Sequence, residues 1–152
     1  MDPKLNLPNI SLSIKEDKVW DMLRKKYVKL TPEEWVRQHF IHYLIQSGYS
    51  KNLMQSEQLV RYNMMSKRCD ILVSDNAGAP CLIVECKAPT IKLNEDTFYQ
   101  IAKYYHVLRA PLLVLTNGLE HIYAILNPKN NKISYLKELP SKQELESLIN
   151  DF

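Results

Sequence analysis

The chain has 152 residues, 45% of them hydrophobic and 24% charged, a composition that suits one globular domain and excludes broad disorder. The formal net charge of +3 permits a nucleic-acid partner but does not argue for one. No segment has the apolar length of a signal peptide or a membrane span, so we expect a cytoplasmic protein with no membrane partner.

The N-terminal part has the weakest pattern. Residues 1–17 are polar, contain two prolines and are interpreted as an arm, with a short strand around residues 10–14. Residues 18–27 are interpreted as a short helix or turn, and the run Arg24-Lys25-Lys26 within them is either a solvated face or a nucleic-acid contact. We expect residues 18–152 to form a single domain.

The first firm helix is predicted to begin after Thr31. Thr31 can cap the free backbone donors, Pro32 suits the first helical position, and Glu34 would complete a capping box. Apolar residues then recur at helical spacing until Gly48, which is a natural stop.

The remainder of the chain alternates strands with two further helices. Strands are predicted at residues 57–62, 68–74, 81–87, 111–116, 121–126 and 132–136. Helices are predicted at residues 94–108 and 141–150, and a turn at residues 75–78. A right-handed crossover should place the strand at 111–116 parallel to the strand at 81–87. We therefore expect an α/β fold with a central mixed sheet flanked by helices.

Three charged residues lie in the hairpin formed by the second and third of these strands. Glu85 and Lys87 must point the same way, because strand residues alternate faces. If the hairpin is centred between residues 77 and 78, Asp70 lies opposite Glu85. Charges are rare inside apolar runs, and their usual reason is a divalent metal. The alternative is a structural ion-pair cluster, which would leave one carboxylate poorly compensated.

A hard cation such as Mg²⁺ or Mn²⁺ would explain this cluster, because it prefers oxygen ligands. Asp70 and Glu85 could supply two carboxylates, and the backbone carbonyl of Cys86 could supply a third oxygen. Such an ion polarises a phosphoryl oxygen and lowers the pKa of a bound water. Lys87 could position or deprotonate that water, or stabilise the developing charge.

Further candidates lie on the predicted helices. Gln100 and Tyr104 are four residues apart on one helical face, where they could hold the strand that carries Lys87, contact a phosphate, or simply pack. Glu34 could add a metal-binding carboxylate, although capping is a sufficient explanation for it. The cysteines are interpreted as buried small residues in a reducing compartment: Cys69, Cys81 and Cys86.

Asp70, then Glu85-Cys86-Lys87, then Gln100 with Tyr104, resembles the motif series of the PD-(D/E)XK nuclease superfamily. The Gln-x-x-x-Tyr element is similar to that of the RecB-like branch and of type I restriction enzymes. Three short stretches resemble the N-terminal nuclease domain of the type I restriction endonuclease R subunit: residues 31–37, 84–89 and 115–118. The resemblance spans roughly residues 17–140.

The resemblance implies a restriction-endonuclease-like fold and Mg²⁺-dependent cleavage of DNA phosphodiester bonds. It implies that Asp70 and Glu85 are metal ligands and Lys87 the catalytic lysine. It also implies that Gln100 and Tyr104 form the accessory motif, and that Glu34 matches an acidic residue that some members carry on the first helix.

The implied partners are DNA and further subunits. The sequence contains no Gly-x-x-x-x-Gly-Lys-Ser/Thr phosphate loop, so we expect the nuclease domain without its helicase motor. One site cuts one strand, so a duplex would require a homodimer or restriction-modification and helicase subunits. The other function that we consider is a non-catalytic nucleic-acid-binding or interaction module that retains the nuclease fold.

Overall fold

The chain folds around a six-stranded sheet that has helices on both faces, and a separate three-stranded sheet lies near the N-terminus. The computed structural model describes residues 4–62 and 65–152, and the side chains of residues 57–68 and 103–107 lie outside that description. The strands are β1 (Ile14–Lys15), β2 (Lys18–Asp21), β3 (Lys26–Lys29), β4 (Met54–Tyr62), β5 (Met65–Ser74), β6 (Pro80–Cys86), β7 (Leu112–Thr116), β8 (His121–Leu126) and β9 (Ile133–Leu136). The helices are α1 (Pro32–Gln46), α2 (Glu95–Leu108) and α3 (Lys142–Asn150), with a 3₁₀ turn at Lys51–Leu53.

The central sheet follows the order of the chain from β4 to β9. Strands β6 and β7 run parallel because α2 crosses between them, whereas the other neighbouring strands pair antiparallel. Every residue of β7 is buried, as expected for a strand that is covered on both faces. The predicted α/β fold with a central mixed sheet is therefore confirmed.

The hairpin of β5 and β6 has the register that the sequence predicts. Ile71 lies opposite Val84, and this alignment sets Asp70 across from Glu85. The turn at residues 75–78 closes the hairpin, because the Asp75 carboxylate accepts hydrogen bonds from two backbone amides that follow it. A register shift next to Ser74 absorbs the extra residue at the turn.

Helix α1 begins at the predicted cap, because the Thr31 hydroxyl accepts a hydrogen bond from the Glu34 amide at 3.1 Å. Glu34 does not complete the predicted capping box. Its two carboxylate oxygens instead accept hydrogen bonds from Arg24 and Gln38. The helix ends before Gly48, whose φ of +98° suits glycine. The predicted capping box does form at α3.

The interpretation of residues 18–27 as a short helix or turn holds only for the turn at residues 22–25, and it was wrong for the flanking residues, which belong to strands β2 and β3. Burial alternates along β2 from exposed to buried, which is the period of a strand. The predicted strand around residues 10–14 was largely wrong, since β1 begins at Ile14. β1 and β2 pair across the boundary expected at residue 17, and the division into arm and domain stays a prediction.

Two apolar cores lie on opposite faces of the central sheet. One packs α1 and α3 against the sheet and includes Phe40, Leu44 and Leu145. The other packs α2 against the sheet and includes Phe98 and Ile101. Burying a side chain of this size stabilises the fold by about 1.5–3 kcal/mol. The packing on the two faces therefore holds the β5–β6 hairpin between α1 and α2. Within the described ranges, no helix is long and apolar enough to cross a membrane.

Candidate active site

The candidate site lies where β6 ends. The Lys87 amide donates a hydrogen bond to the Thr116 carbonyl at 2.8 Å, so the backbone beyond β6 stays paired with β7. Glu85 and Lys87 lie one pleat apart, and the Lys87 Nζ is 3.4 Å from the Glu85 Oε1. The two side chains are 17% and 23% exposed, so the ion pair is largely shielded from water.

Asp70 is fixed from two directions. Its Oδ2 accepts a hydrogen bond of 2.6 Å from the Cys86 amide, across the β5–β6 pair. Its Oδ1 accepts one of 3.1 Å from Arg37 Nη2 on helix α1. The side chain is 16% exposed. Burial raises the pKa of Asp70 above its usual value, although the Cys86 amide and the Arg37 guanidinium act in the opposite direction.

The acidity of Glu85 is strongly perturbed. Burial, and after it the negative charge of Asp70, raises the pKa of Glu85 to about 7, against the lowering effect of Lys87. The Glu85 Oε2 is buried and has no hydrogen-bond partner among the described residues. A buried carboxylate oxygen without a donor is costly, so this atom marks a place where a cation would be stabilised.

The residues present fit a hard cation. Two largely buried carboxyl groups, one of which raises the pKa of the other, form a donor set for an ion such as Mg²⁺, and one oxygen of Glu85 is buried without a partner among the described residues. The set is small: across residues 4–62 and 65–152, no group of three or more histidine, cysteine or acidic side chains is placed to hold a metal. Backbone oxygens or water would have to complete the coordination.

Glu34 and Glu33 occupy different positions at the start of α1. Glu34 is buried, and its oxygens accept hydrogen bonds from Arg24 Nη2 at 2.8 Å and from Gln38 Nε2 at 2.9 Å. Glu33 is exposed, and its charge contributes to the raised pKa of both Asp70 and Glu85. The charge of Glu33 therefore acts on both proposed metal-binding acids, and the sequence analysis did not select this residue.

Arg37 is the main residue that the sequence analysis missed. Its guanidinium lies 3.4 Å from Glu34 Oε1 and bonds Asp70, so it links the start of α1 to β5. It also donates to the Ser56 hydroxyl on β4 at 3.3 Å. The sequence offered no distinct signal for it, because the buried residues beside Arg37 include the polar Gln38 and His39 as well as Val36.

The remaining predicted residues are on α2 or are cysteines. Gln100 is exposed on α2, and among the described side chains no hydrogen bond joins it to the three charged residues. Tyr104 belongs to the same helix, but its side chain lies outside the described ones. Cys86 is buried, its thiol packs in the α1-side core, and burial raises the pKa of that thiol. Cys69, Cys81 and Cys86 are thiols, with Cys81 partly buried.

Comparison with known proteins identifies the family and supports the fold. Residues 32–140 match a family model described as "Type I restriction enzyme R protein N terminus (HSDR_N)". No curated protein matches the chain at a significant level. A solved fragment described as an HsdR subunit of a type I restriction enzyme from Vibrio vulnificus YJ016 superposes with a TM-score of 0.60 at 20% identity, covering 80% of this chain and 26% of that chain. The chain thus spans about a quarter of that chain's length, and the likeness supports the fold.

Proposed function

Because this chain belongs to the family of type I restriction enzyme R protein N termini, we propose that it is a metal-dependent nuclease domain that hydrolyses DNA phosphodiester bonds. The family provides the restriction-enzyme context. The metal dependence, the reaction and the residue roles are our proposal, argued from the geometry of Asp70, Glu85 and Lys87.

The observation that carries the proposal is the effect of Asp70 on the neighbouring carboxyl group of Glu85. The Asp70 charge helps to raise the pKa of Glu85 to about 7, and the Glu85 Oε2 remains buried without a donor. Arg37 pairs with Asp70 and Lys87 pairs with Glu85, but these two ion pairs still leave Glu85 Oε2 buried without a donor among the described residues, which costs free energy. A divalent cation between the acids would offset that cost.

Asp70, Glu85 and the backbone carbonyl of Cys86 would hold the ion. When bound, a divalent metal polarises a phosphoryl oxygen and lowers the pKa of a coordinated water. The protein's own contribution is to fix the two carboxylates, and the Cys86 amide and Arg37 do this for Asp70.

Lys87 supplies the positive charge at the reacting centre. Its Nζ lies 3.4 Å from Glu85 Oε1, so this contact holds the ammonium on the side of the sheet where the acids lie. As the ammonium it can orient the attacking water or stabilise the charge that develops on the phosphate, and only as the neutral amine could it deprotonate that water. Gln100 and Tyr104 on α2 would support the site by contacting a phosphate or the strand that carries Lys87.

The substrate in this proposal is DNA, and the domain would act with further subunits. One such site cleaves one strand, so cleavage of a duplex requires either a second copy of this chain or other restriction-modification and helicase subunits. The arrangement of these partners would decide where the DNA enters.

Nicking of supercoiled plasmid in Mg²⁺ or Mn²⁺ tests the proposal. We expect the wild type to nick DNA, and Lys87→Ala and Glu85→Gln to lose at least about 100-fold in rate, which is the usual effect of removing a charge-stabilising or acid-base group. Glu146→Gln on α3 is the matched control, since that side chain is 61% exposed, and it should retain activity. Calorimetric titration with Mn²⁺ should show binding that Glu85→Gln abolishes.

A specific observation favours a second candidate function. Both Asp70 oxygens already accept hydrogen bonds, one of them from a guanidinium, as in a structural ion-pair network. A non-catalytic DNA-binding module would keep this network without binding metal. DNA binding that persists in Glu85→Gln and Lys87→Ala, with no nicking and no Mn²⁺ heat in the wild type, would support that module instead.

A further inference from the structure

One face of the small N-terminal sheet carries three lysines side by side. Lys15 lies opposite Lys18, and Lys18 lies opposite Lys29. Residues directly opposite each other share a face, and all three side chains are exposed. Neighbouring strands are about 4.8 Å apart, well inside the screening length of about 8 Å, so the three potentials add. Like charges in this arrangement destabilise a sheet, so the row indicates an anionic partner.

An exposed aromatic pair lies on the same face. Trp20 pairs with Tyr27 across β2 and β3, two residues along from the lysine row. The two residues are 39% and 38% exposed, and their ring centroids are 5.2 Å apart in an edge-to-face contact. A hydrogen bond of 2.9 Å between the Ser13 and Tyr27 hydroxyls fixes the phenol ring. Half-exposed and fixed rings beside cations are the elements of a base-stacking platform.

The opposite face of this sheet is tied to the rest of the domain. Asp21 is fully buried and pairs with Arg24, which also bonds Glu34 at the start of α1. The turn between β1 and β2 carries the acidic pair Glu16 and Asp17, so negative charge is confined to one end of the outward face. The sheet is thus anchored by its inner face, and its outer face is available to a partner.

We propose that this outer face, which we call the Lys–aromatic face (Lys15, Lys18, Trp20, Tyr27 and Lys29), binds single-stranded DNA. The lysines would contact phosphates, and unpaired bases would stack on the two rings, which a duplex cannot offer. The choice of DNA as the anionic partner rests on the proposed function. The family match begins at residue 32, so the Lys–aromatic face lies outside the matched segment.

Fluorescence anisotropy with a labelled oligothymidine of about 15 nucleotides tests the proposal. EDTA in the buffer removes divalent metal and so prevents cleavage during the measurement. The triple variant Lys15→Gln/Lys18→Gln/Lys29→Gln should bind at least about tenfold more weakly, and the slope of log K against log salt should decrease by about 2, as expected for three lost phosphate contacts. The matched control is Lys51→Gln/Lys132→Gln/Lys137→Gln, which removes the same charge from three exposed lysines elsewhere. The control should change affinity by less than about twofold, since it leaves the face intact.

Stacking has its own readout. Oligothymidine should quench the fluorescence of Trp20, and Trp20→Phe should remove most of this quenching while Trp35 still emits. The proposal would be overturned if the two triple variants bound the oligonucleotide with equal affinity. It would also be overturned if the variant of the Lys–aromatic face lost affinity for duplex DNA but not for single-stranded DNA. Because the assay contains no metal, its failure leaves the nuclease proposal untouched.

Discussion

Arg37 and Asp70 form the contact that joins helix α1 to the candidate site, with Arg37 Nη2 3.1 Å from Asp70 Oδ1. The Arg37 side chain is 6% exposed, and it also lies 3.4 Å from Glu34. One buried guanidinium therefore balances two acids from different elements. The orientation of an acid proposed to bind metal depends in this way on a residue of the first helix.

Replacing Arg37 should destabilise the domain. Arg37→Gln leaves the buried Glu34 and Asp70 without their shared cation, and we expect a loss of about 3 kcal/mol in the free energy of unfolding. Urea denaturation measures this loss. The exposed Lys137→Gln should stay within about 0.5 kcal/mol of the wild type, and a similar result for Arg37→Gln would show that the network is energetically neutral.

Replacing Glu85 should have the opposite effect on stability. The pKa of Glu85 is raised from 4.5 to about 7, so the ionised form destabilises the fold above pH 7. Glu85→Gln should therefore raise the free energy of unfolding by about 1 to 3 kcal/mol at pH 8 without metal. The gain should shrink as pH falls from 7 to 4.5, because the wild-type carboxylate becomes protonated. Urea titrations across this range measure it, and a constant gain would contradict the assignment.

His121 should make the fold sensitive to mild acid. Its Nε2 lies 2.9 Å from the Asn6 carbonyl, which can only accept, so its Nδ1 accepts from the Thr116 hydroxyl at 2.7 Å. Burial lowers the pKa of His121 below 6.5, so the unfolded chain binds a proton that the folded protein rejects.

Thermal stability should therefore fall as pH decreases from 7 through 6.5 and below. His121→Gln should show a shallower decline over the same range in thermal unfolding scans. His42, whose pKa burial also lowers, provides the comparison, since His42→Gln tests whether the effect belongs to one histidine. Parallel curves for the wild type and His121→Gln would assign the acid sensitivity to other groups.

Gly118 and Gly78 form a matched pair for measuring steric strain. Both have a φ of +86°, but a Cβ at Gly118 would lie 2.7 Å from Leu5 Cδ2 and 3.1 Å from Val36 Cγ2, whereas a Cβ at Gly78 meets nothing within 4 Å. Gly78→Ala should cost about 1 kcal/mol, from backbone strain alone. Gly118→Ala should cost about 3 kcal/mol, since overpacking adds to that strain. Chemical denaturation compares them, and equal losses would mean that Leu5 yields without cost.

Local patterns were sufficient for the parts of the fold whose contacts are close in sequence. The β5–β6 register followed from the turn at residues 75–78 and from apolar runs of matching length, so it placed Asp70 across from Glu85. The helices were likewise marked by their caps at Thr31 and Ser141. These signals act within a few residues and need no knowledge of the distant chain.

Long-range contacts decided what the sequence analysis missed. Strands β2 and β3 are short and rich in lysine, and the buried ion pair of Asp21 with Arg24 helps to hold them against α1. Glu34 was interpreted as a capping residue because its partner Arg24 is ten residues away. Such interactions depend on tertiary structure, which overrides weak local propensity.

The brace between Cys86 and Asp70 uses a main-chain amide as its donor. Every amino acid except proline provides that group, so the side chain at position 86 is chemically irrelevant to how the acid is held. Replacing Cys86 with alanine or valine would remove a thiol while preserving this hydrogen bond. The carboxylate geometry is therefore independent of the sulfur at position 86, and only Cys69 and Cys81 would remain to be replaced before a single thiol is introduced elsewhere for labelling.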